Sequence, residues 1–452
     1  MNDCLSDALD ISGGRPALRN AGSVRDNIDA IVRLAVFGDG ADQTLARFAI
    51  HAAAPELGAV PASIAPLYAA RGRGEVSGFT VPAINIRGIA YDMSRALFRA
   101  IKSQLASATV FELARSEMGY TFQDPAELSA VVLGAAIAEG YEGPVFMQGD
   151  HFQANAKKFA TDPEGETHAL EELIKQAIAA QFYCIDIDAS TLVDLSRDTV
   201  AEQQAPNAKL TARLARLVRE LEPEGVTVSI GGEIGEVGKE NSTVEELTTY
   251  VDGFRELLGA DVQGISKVSV QTGTSHGGIP LPDGSIARVA IAFETLQEMS
   301  QVARERYGMA GAVQHGASTL PDELFHRFPE VETAEIHLAT GFQNLIMDSP
   351  AFPRSLLTEM HDYAQKEFAS ERTADETDVQ FFYKTRKKTW GPFKRATWDL
   401  PADVQGALGL ALQEKFEFLM QQLNANNTRE FVIQHVFHQP VEVEPPVLSA
   451  TS

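Results

Sequence analysis

Eight short apolar runs, each followed by a helical pattern, predict an α/β protein, a parallel (β/α)8 TIM barrel with helical additions at both ends. A third observation supports it: the polar residues able to do chemistry cluster at the C-terminal ends of those runs. The runs are 79–86, 107–114, 143–150, 182–188, 226–234, 265–270, 311–315 and 334–340. Between them lie amphipathic stretches such as THALEELIKQAIAAQ (167–181) and NAKLTARLARLVREL (207–221). An open doubly wound sheet gives a similar alternation, so the count of runs does not by itself choose between the two.

The remaining segments divide around the barrel. Residues 1–75 read as a helical N-terminal extension, with helical apolar spacing in DNIDAIVRLAVF and TLARFAIHAA, and Gly-rich RGRGEVSG (71–78) punctuates its end. The barrel is expected over 76–350, and 351–452 form a C-terminal helical extension with a flexible end. Apolar residues at 44% and charged residues at 22% are ordinary for a soluble globular protein. No apolar run approaches the length of about 18 residues that a spanning helix needs. The first residues lack a secretory pattern, and Cys4 and Cys184 do not suggest a disulfide framework, so a cytoplasmic location is expected. The net charge of −24 argues against nucleic acid or an anionic membrane as partner. An anionic substrate must then be held by local basic groups and backbone amides.

The run ends carry a short, coherent list. The third ends in Asp150 and His151, the fourth in Asp188, the fifth in Glu233; the sixth leads to His276-Gly277, and the seventh ends in His315-Gly316. A lone histidine at a strand end is more often structural than a ligand. Three of them converging with carboxylates form a donor set for Zn²⁺ with an open position. A basic run, Lys384, Arg386, Lys387, Lys388, Lys394 and Arg395, reads first as a solvated surface and second as a seat for a distal phosphate.

These motifs resemble the class II, metal-dependent ketose-bisphosphate aldolases, of fructose- and tagatose-bisphosphate type. GFTVPAINI resembles the family's opening strand with Asn85, and FMQGDHFQANAKKF its segment carrying the catalytic Asp and first zinc His. IDIDAS, GGEIGEVGKEN, GTSHGG, VQHGAS and HLAT follow in the family's order. The resemblance implies Asp150 and Glu240 as proton-transfer residues. It implies His151, His276, His315, Glu233 and Asp188 around one catalytic Zn²⁺, with a monovalent cation as a second ion. Asn85, Gly277, Gly316, Ser318, His337, Thr340 and Arg115 are the implied substrate contacts. The implied reaction is reversible cleavage of a ketose bisphosphate to dihydroxyacetone phosphate and an aldehyde, in carbohydrate metabolism, by a homodimer or larger homo-oligomer. The chain departs from the family at Gln148, Thr319, His337 and Arg115. Those changes leave two alternatives open: a zinc aldolase for a carboxylated sugar, with Arg115 as anion partner, or a non-catalytic accessory subunit.

Overall fold

Every predicted run forms a strand in the computed structural model: β1 (Val81–Asn85), β2 (Val110–Ala114), β3 (Gly143–Gln153), β4 (Cys184–Asp188), β5 (Ser229–Glu233), β6 (Lys267–Val270), β7 (Ala312–Gln314) and β8 (Glu335–Leu338). The structure describes residues 2–11, 15–235, 240–273, 280–283, 285, 287, 291–437 and 440–447. Each strand pairs in parallel with the next, and β8 pairs with β1, His337 opposite Ala83. The sheet is therefore closed, and the open-sheet alternative is removed.

Helices return the chain between strands: Ala90–Gln104, Pro125–Ala138, Pro163–Ala179, Val200–Leu221, Val244–Leu258 and Phe293–Tyr307, with Thr340–Met347 after β8. Their starts are written locally. Asp124 caps the helix that opens on Pro125, and Thr199 with Glu202 and Thr243 with Glu246 form reciprocal capping boxes. The seventh connection has only a turn at Asp322–Leu324 and a four-residue helix at Arg327–Glu330.

Helix Pro125–Ala138 is apolar on nearly every face because it is covered twice. One side lies on the barrel, and helices Ile28–Phe37 and Gly40–Glu56 of the N-terminal extension pack on the other. A Cβ on Gly134 would stand 2.3 Å from the Val32 side chain, so that approach requires glycine. The C-terminal helix Ala402–Gln422 lies along Ala90–Gln104, with Arg99 donating to Gln413 (2.8 Å).

The N-terminal extension also supplies a strand absent from the sequence reading. Ala59–Ala62 pairs in parallel with Gly143–Phe146, the lower end of β3, while β3 from Gln148 onward pairs with β4. This short strand is a wedge between β3 and β4 at the barrel floor. Ser63 continues it, its hydroxyl accepting the Ser229 N–H of β5 at 3.1 Å. Among the described residues no helix is long and apolar enough to cross a membrane.

Candidate active site

In a regular strand, adjacent side chains point to opposite faces. Asp150 and His151 escape this rule because β3 carries a bulge: its register with β4 shifts between Gly149 and Phe152. His151 sits at φ 40°, in the left-handed region, which costs a non-glycine residue on the order of 1 kcal/mol. Gly149 makes room for the bulge, since a Cβ there would lie 2.4 Å from the Phe152 ring. Asp150 and His151 thus reach one site from consecutive positions.

Asp150 is buried and held at both oxygens. Asn85 Nδ2 donates to Oδ2 at 3.0 Å, and His337 Nδ1 lies 3.0 Å from Oδ1. Burial works to raise its pKa, but the adjacent His151 and His337 hold the carboxylate well below the usual range. His151 Nδ1 lies 2.9 Å from Asp188 Oδ2 and 3.2 Å from Glu233 Oε2. Asp188 is itself fixed by Ser190 and Gln153. Burial and the neighbouring Asp188 push Glu233 up to about 8. His315 Nε2 meets Ser269 Oγ at 2.8 Å, which orients the ring. The rings of His151, His315 and His337 lie in a row, each tilted against the next (43° and 42°), with centroids 4.1 Å apart at each step.

Among the described residues four sets of donor atoms lie within 4.8 Å of one another: Asp150, His151 and His315, and His151, Asp188 and Glu233, at the cavity, and Glu112, Asp150 and His337, and Asp186, Glu335 and His337, beneath it. Imidazole nitrogens beside carboxylate oxygens suit zinc, so the residues fit such a metal. Above them opens a cavity of about 440 Å³. Its wall includes four cationic side chains, Arg87, Arg115, Lys158 and Lys387, in a chain of net charge −24. Arg87 is paired with Glu117 and also donates to Thr340 Oγ1 at 3.1 Å. Lys387, from the C-terminal extension, lies 5.8 Å from the Tyr120 ring centre.

The sequence matches the family model for class II fructose-bisphosphate aldolase over residues 73–384. The chain belongs to that family. No curated protein matches it in sequence. Among solved structures, the fructuronate-tagaturonate epimerase UxaE from Cohnella laeviribosi is similar over 95% of this chain and 94% of its own, at 13% identity and a TM-score of 0.55. A protein from Sinorhizobium meliloti 1021, described as a tagatose 6 phosphate kinase, is similar over 78% of this chain and 93% of its own (19% identity, TM-score 0.50). The fructose-bisphosphate aldolase of Campylobacter jejuni is similar over 82% and 97% (17% identity, TM-score 0.47). At these identities the likeness to the first two speaks for the fold alone.

Of the residues singled out from the class II aldolase motifs, Asn85, Asp150, His151, Asp188, Glu233 and His315 come together at the barrel mouth. Gly316, Ser318, Thr340, Arg115 and His337 line the same cavity. Gly316 turns the chain after β7 at φ 68°, and Ser318 Oγ accepts the Gly341 N–H at 3.2 Å. Arg115 is tied to the Gln153 carbonyl (2.6 Å) and to Glu166. His337 engages carboxylates at both nitrogens, Asp150 at Nδ1 and Glu335 at Nε2 (2.6 Å). Glu240 is exposed. His276 and Gly277 lie outside the described residues.

Sequence reasoning missed Arg87, Glu117 and a buried polar layer beneath the site, Glu112, Asp186, Lys267 and Glu335; it had noted Gln148 of that layer only as a departure from the family, and Lys387 only within the basic run. The layer did leave a signal. Each member is a polar residue inside an apolar strand, as in VFELA, CIDID and ISKVSV, and alternation aims it into the barrel.

Proposed function

We propose that this class II aldolase homologue breaks and re-forms a carbon–carbon bond next to the carbonyl of an open-chain, anionic ketose. One observation carries the reading: the β3 bulge sets an ionised, buried Asp150 beside His151, within reach of His315 and of the cavity. His151, His315 and Glu233 would hold a divalent cation, zinc in this family, with His276 as the further ligand implied by the motif. When bound, the cation supplies Lewis acidity to a ketone carbonyl.

The chain's own groups do the rest. In cleavage, Asp150 takes the hydroxyl proton of the substrate carbinol; that O–H pair becomes the aldehyde C=O, and the broken C–C pair passes to the ketone half as an enediolate. In condensation the same proton returns from Asp150 to the new alkoxide. Asn85 and His337 keep the Asp150 carboxylate oriented throughout. Glu240 is assigned to the proton on the ketone half when that half leaves as product.

Two substrate classes fit this chemistry. The motifs favour a fructose- or tagatose-type bisphosphate, cleaved to dihydroxyacetone phosphate and an aldehyde, with Gly316, Ser318 and Thr340 cradling a phosphate. The cavity also admits a six-carbon ketose acid, whose halves would recombine on the other face to give an epimer. Cationic side chains stand on the wall, with Arg87 and Arg115 already paired to Glu117 and Glu166, and His337 spends both nitrogens on carboxylates rather than on substrate. The likeness to UxaE also includes both extensions, since it spans 95% of the chain. A panel of ketose mono- and bisphosphates and hexuronate ketoses, assayed with and without Zn²⁺, tests both. Triose phosphate release supports the first, and metal-dependent epimer formation the second. If no ketose in the panel reacts, the reading fails and the accessory-subunit alternative stands.

A further inference from the structure

Barrel interiors are ordinarily filled by branched apolar side chains. Here the layer below Asp150 is charged. Lys267 and Glu335 are fully buried, Asp186 is 5% exposed and His337 4%. Lys267 Nζ reaches Gln148 Oε1 (2.8 Å), Asp186 Oδ2 (2.9 Å) and Glu335 Oε1. Glu335 Oε1 also accepts from Gln148 Nε2 (3.0 Å) and lies 2.6 Å from His337 Nε2. On the far side of the ring, Nδ1 lies 3.0 Å from Asp150 Oδ1 and 3.2 Å from Glu112 Oε2. Tyr68, from helix Ala65–Gly72, donates to the other oxygen of Glu335.

Taking such ions out of water is costly, and well-packed apolar residues of similar volume are often as stable or more so. Stability alone therefore does not account for the layer. Its geometry does, because it is an unbroken chain of contacts from the barrel floor to one carboxylate oxygen. We infer that Glu335 and Lys267 are positioning residues, which clamp the His337 ring so that its Nδ1–H fixes the Asp150 carboxylate for proton transfer. The inference rests on Asp150 as the proton-transfer group. Asn85 holds Oδ2 from β1 and His337 holds Oδ1 from β8, so the carboxylate plane is set by two strands. Without Glu335, the ring loses its anchor and that plane is free to turn.

The test compares Glu335→Gln with Tyr68→Phe in the full-length, zinc-loaded protein, by crystal structure and by turnover of the ketose that the parent accepts. Tyr68→Phe removes a bond to the other oxygen of Glu335, whereas Glu335→Gln removes the carboxylate charge on the His337 and Lys267 side. Glu335→Gln is expected to lower kcat about ten- to hundredfold, the effect of a small misplacement, with KM and zinc content unchanged and His337 turned away from Asp150. Tyr68→Phe is expected to stay within about twofold. His337→Asn keeps an N–H donor near the Nδ1 position and should recover much of the activity that His337→Leu loses. If Glu335→Gln fails to fold, Lys267→Gln removes the charge beneath Glu335 at similar length and is expected to show the same kcat-specific loss. The inference is overturned if His337 stays on Asp150 in Glu335→Gln, or if Tyr68→Phe loses activity equally and in step with thermal stability. A parent that turns over no ketose defeats the aldol reading, and the crystal structures still decide whether the clamp exists.

Discussion

Asp150 and His151 owe their common site to one residue of irregular backbone, and that residue is bracketed by Gly149 and Phe152. Gly149→Ala would drive a methyl into the Phe152 ring at 2.4 Å, and is expected to cost about 1–3 kcal/mol and to weaken zinc binding by displacing His151. Thermal melting together with metal analysis checks this; an unaltered zinc content would show that the bulge does not set the ligand. Asp150→Ala separates binding from chemistry. It should keep the metal while turnover falls about 10²- to 10⁴-fold, the usual contribution of an acid–base group. Glu233 gives a pH dependence whose sign is fixed. Burial and Asp188 push it up to about 8 in the metal-free protein, so below that pH a cation must displace a proton to bind there. Apparent zinc affinity is expected to fall as the pH drops below 8, by about tenfold per pH unit for each proton displaced. Chelator competition across this range measures it, and a flat profile would remove Glu233 from the ligand set.

The strands and most of the helices were legible because their signals are local. Apolar runs of four to eight residues bounded by polar helical repeats make βα units, and Asp124, Thr199 and Thr243 mark helix starts within single turns. The site residues at run ends were legible for the same reason, since a barrel places strand ends on one face. The wedge Ala59–Ala62 was not. Four residues of AVPA carry no usable period, and they become a strand only because Gly143–Phe146 offers a free edge, a long-range fact. The bulge was hidden as well: it depends on how Phe152 packs over Gly149 rather than on any propensity of Asp150 or His151. The wedge has a consequence at its own scale. A chain starting at residue 76 would bare the lower edge of β3 and the outer face of Pro125–Ala138. Such a truncation is expected to be insoluble or protease-sensitive under conditions where the full chain is neither, measured by limited proteolysis.

Across the whole molecule, a net charge of −24 surrounds a cavity whose wall carries Arg87, Arg115, Lys158 and Lys387 against the two carboxylates Glu117 and Asp150. An anion is repelled at long range and attracted at short range. Salt screens the first effect more, because the Debye length contracts from about 30 Å at 0.01 M to about 8 Å at 0.15 M. Raising ionic strength over this interval is therefore expected to increase kcat/KM for an anionic ketose before higher salt lowers it. A monotonic fall would mean that the cavity's own field dominates at every distance. The wedge strand also bears on how the chain is made. Ala59–Ala62 leaves the ribosome before any barrel strand, and its partner Gly143–Phe146 follows roughly eighty residues later. At about 5–20 residues per second, the N-terminal segment waits several seconds for its place in the sheet. Helices Ile28–Phe37 and Gly40–Glu56 wait as well, because the helix they cover, Pro125–Ala138, is not yet synthesised. During that interval the apolar faces of this segment are in the care of whatever binds nascent chains, and the same holds for longer at Val81–Asn85, whose partner Glu335–Leu338 is made roughly 250 residues later.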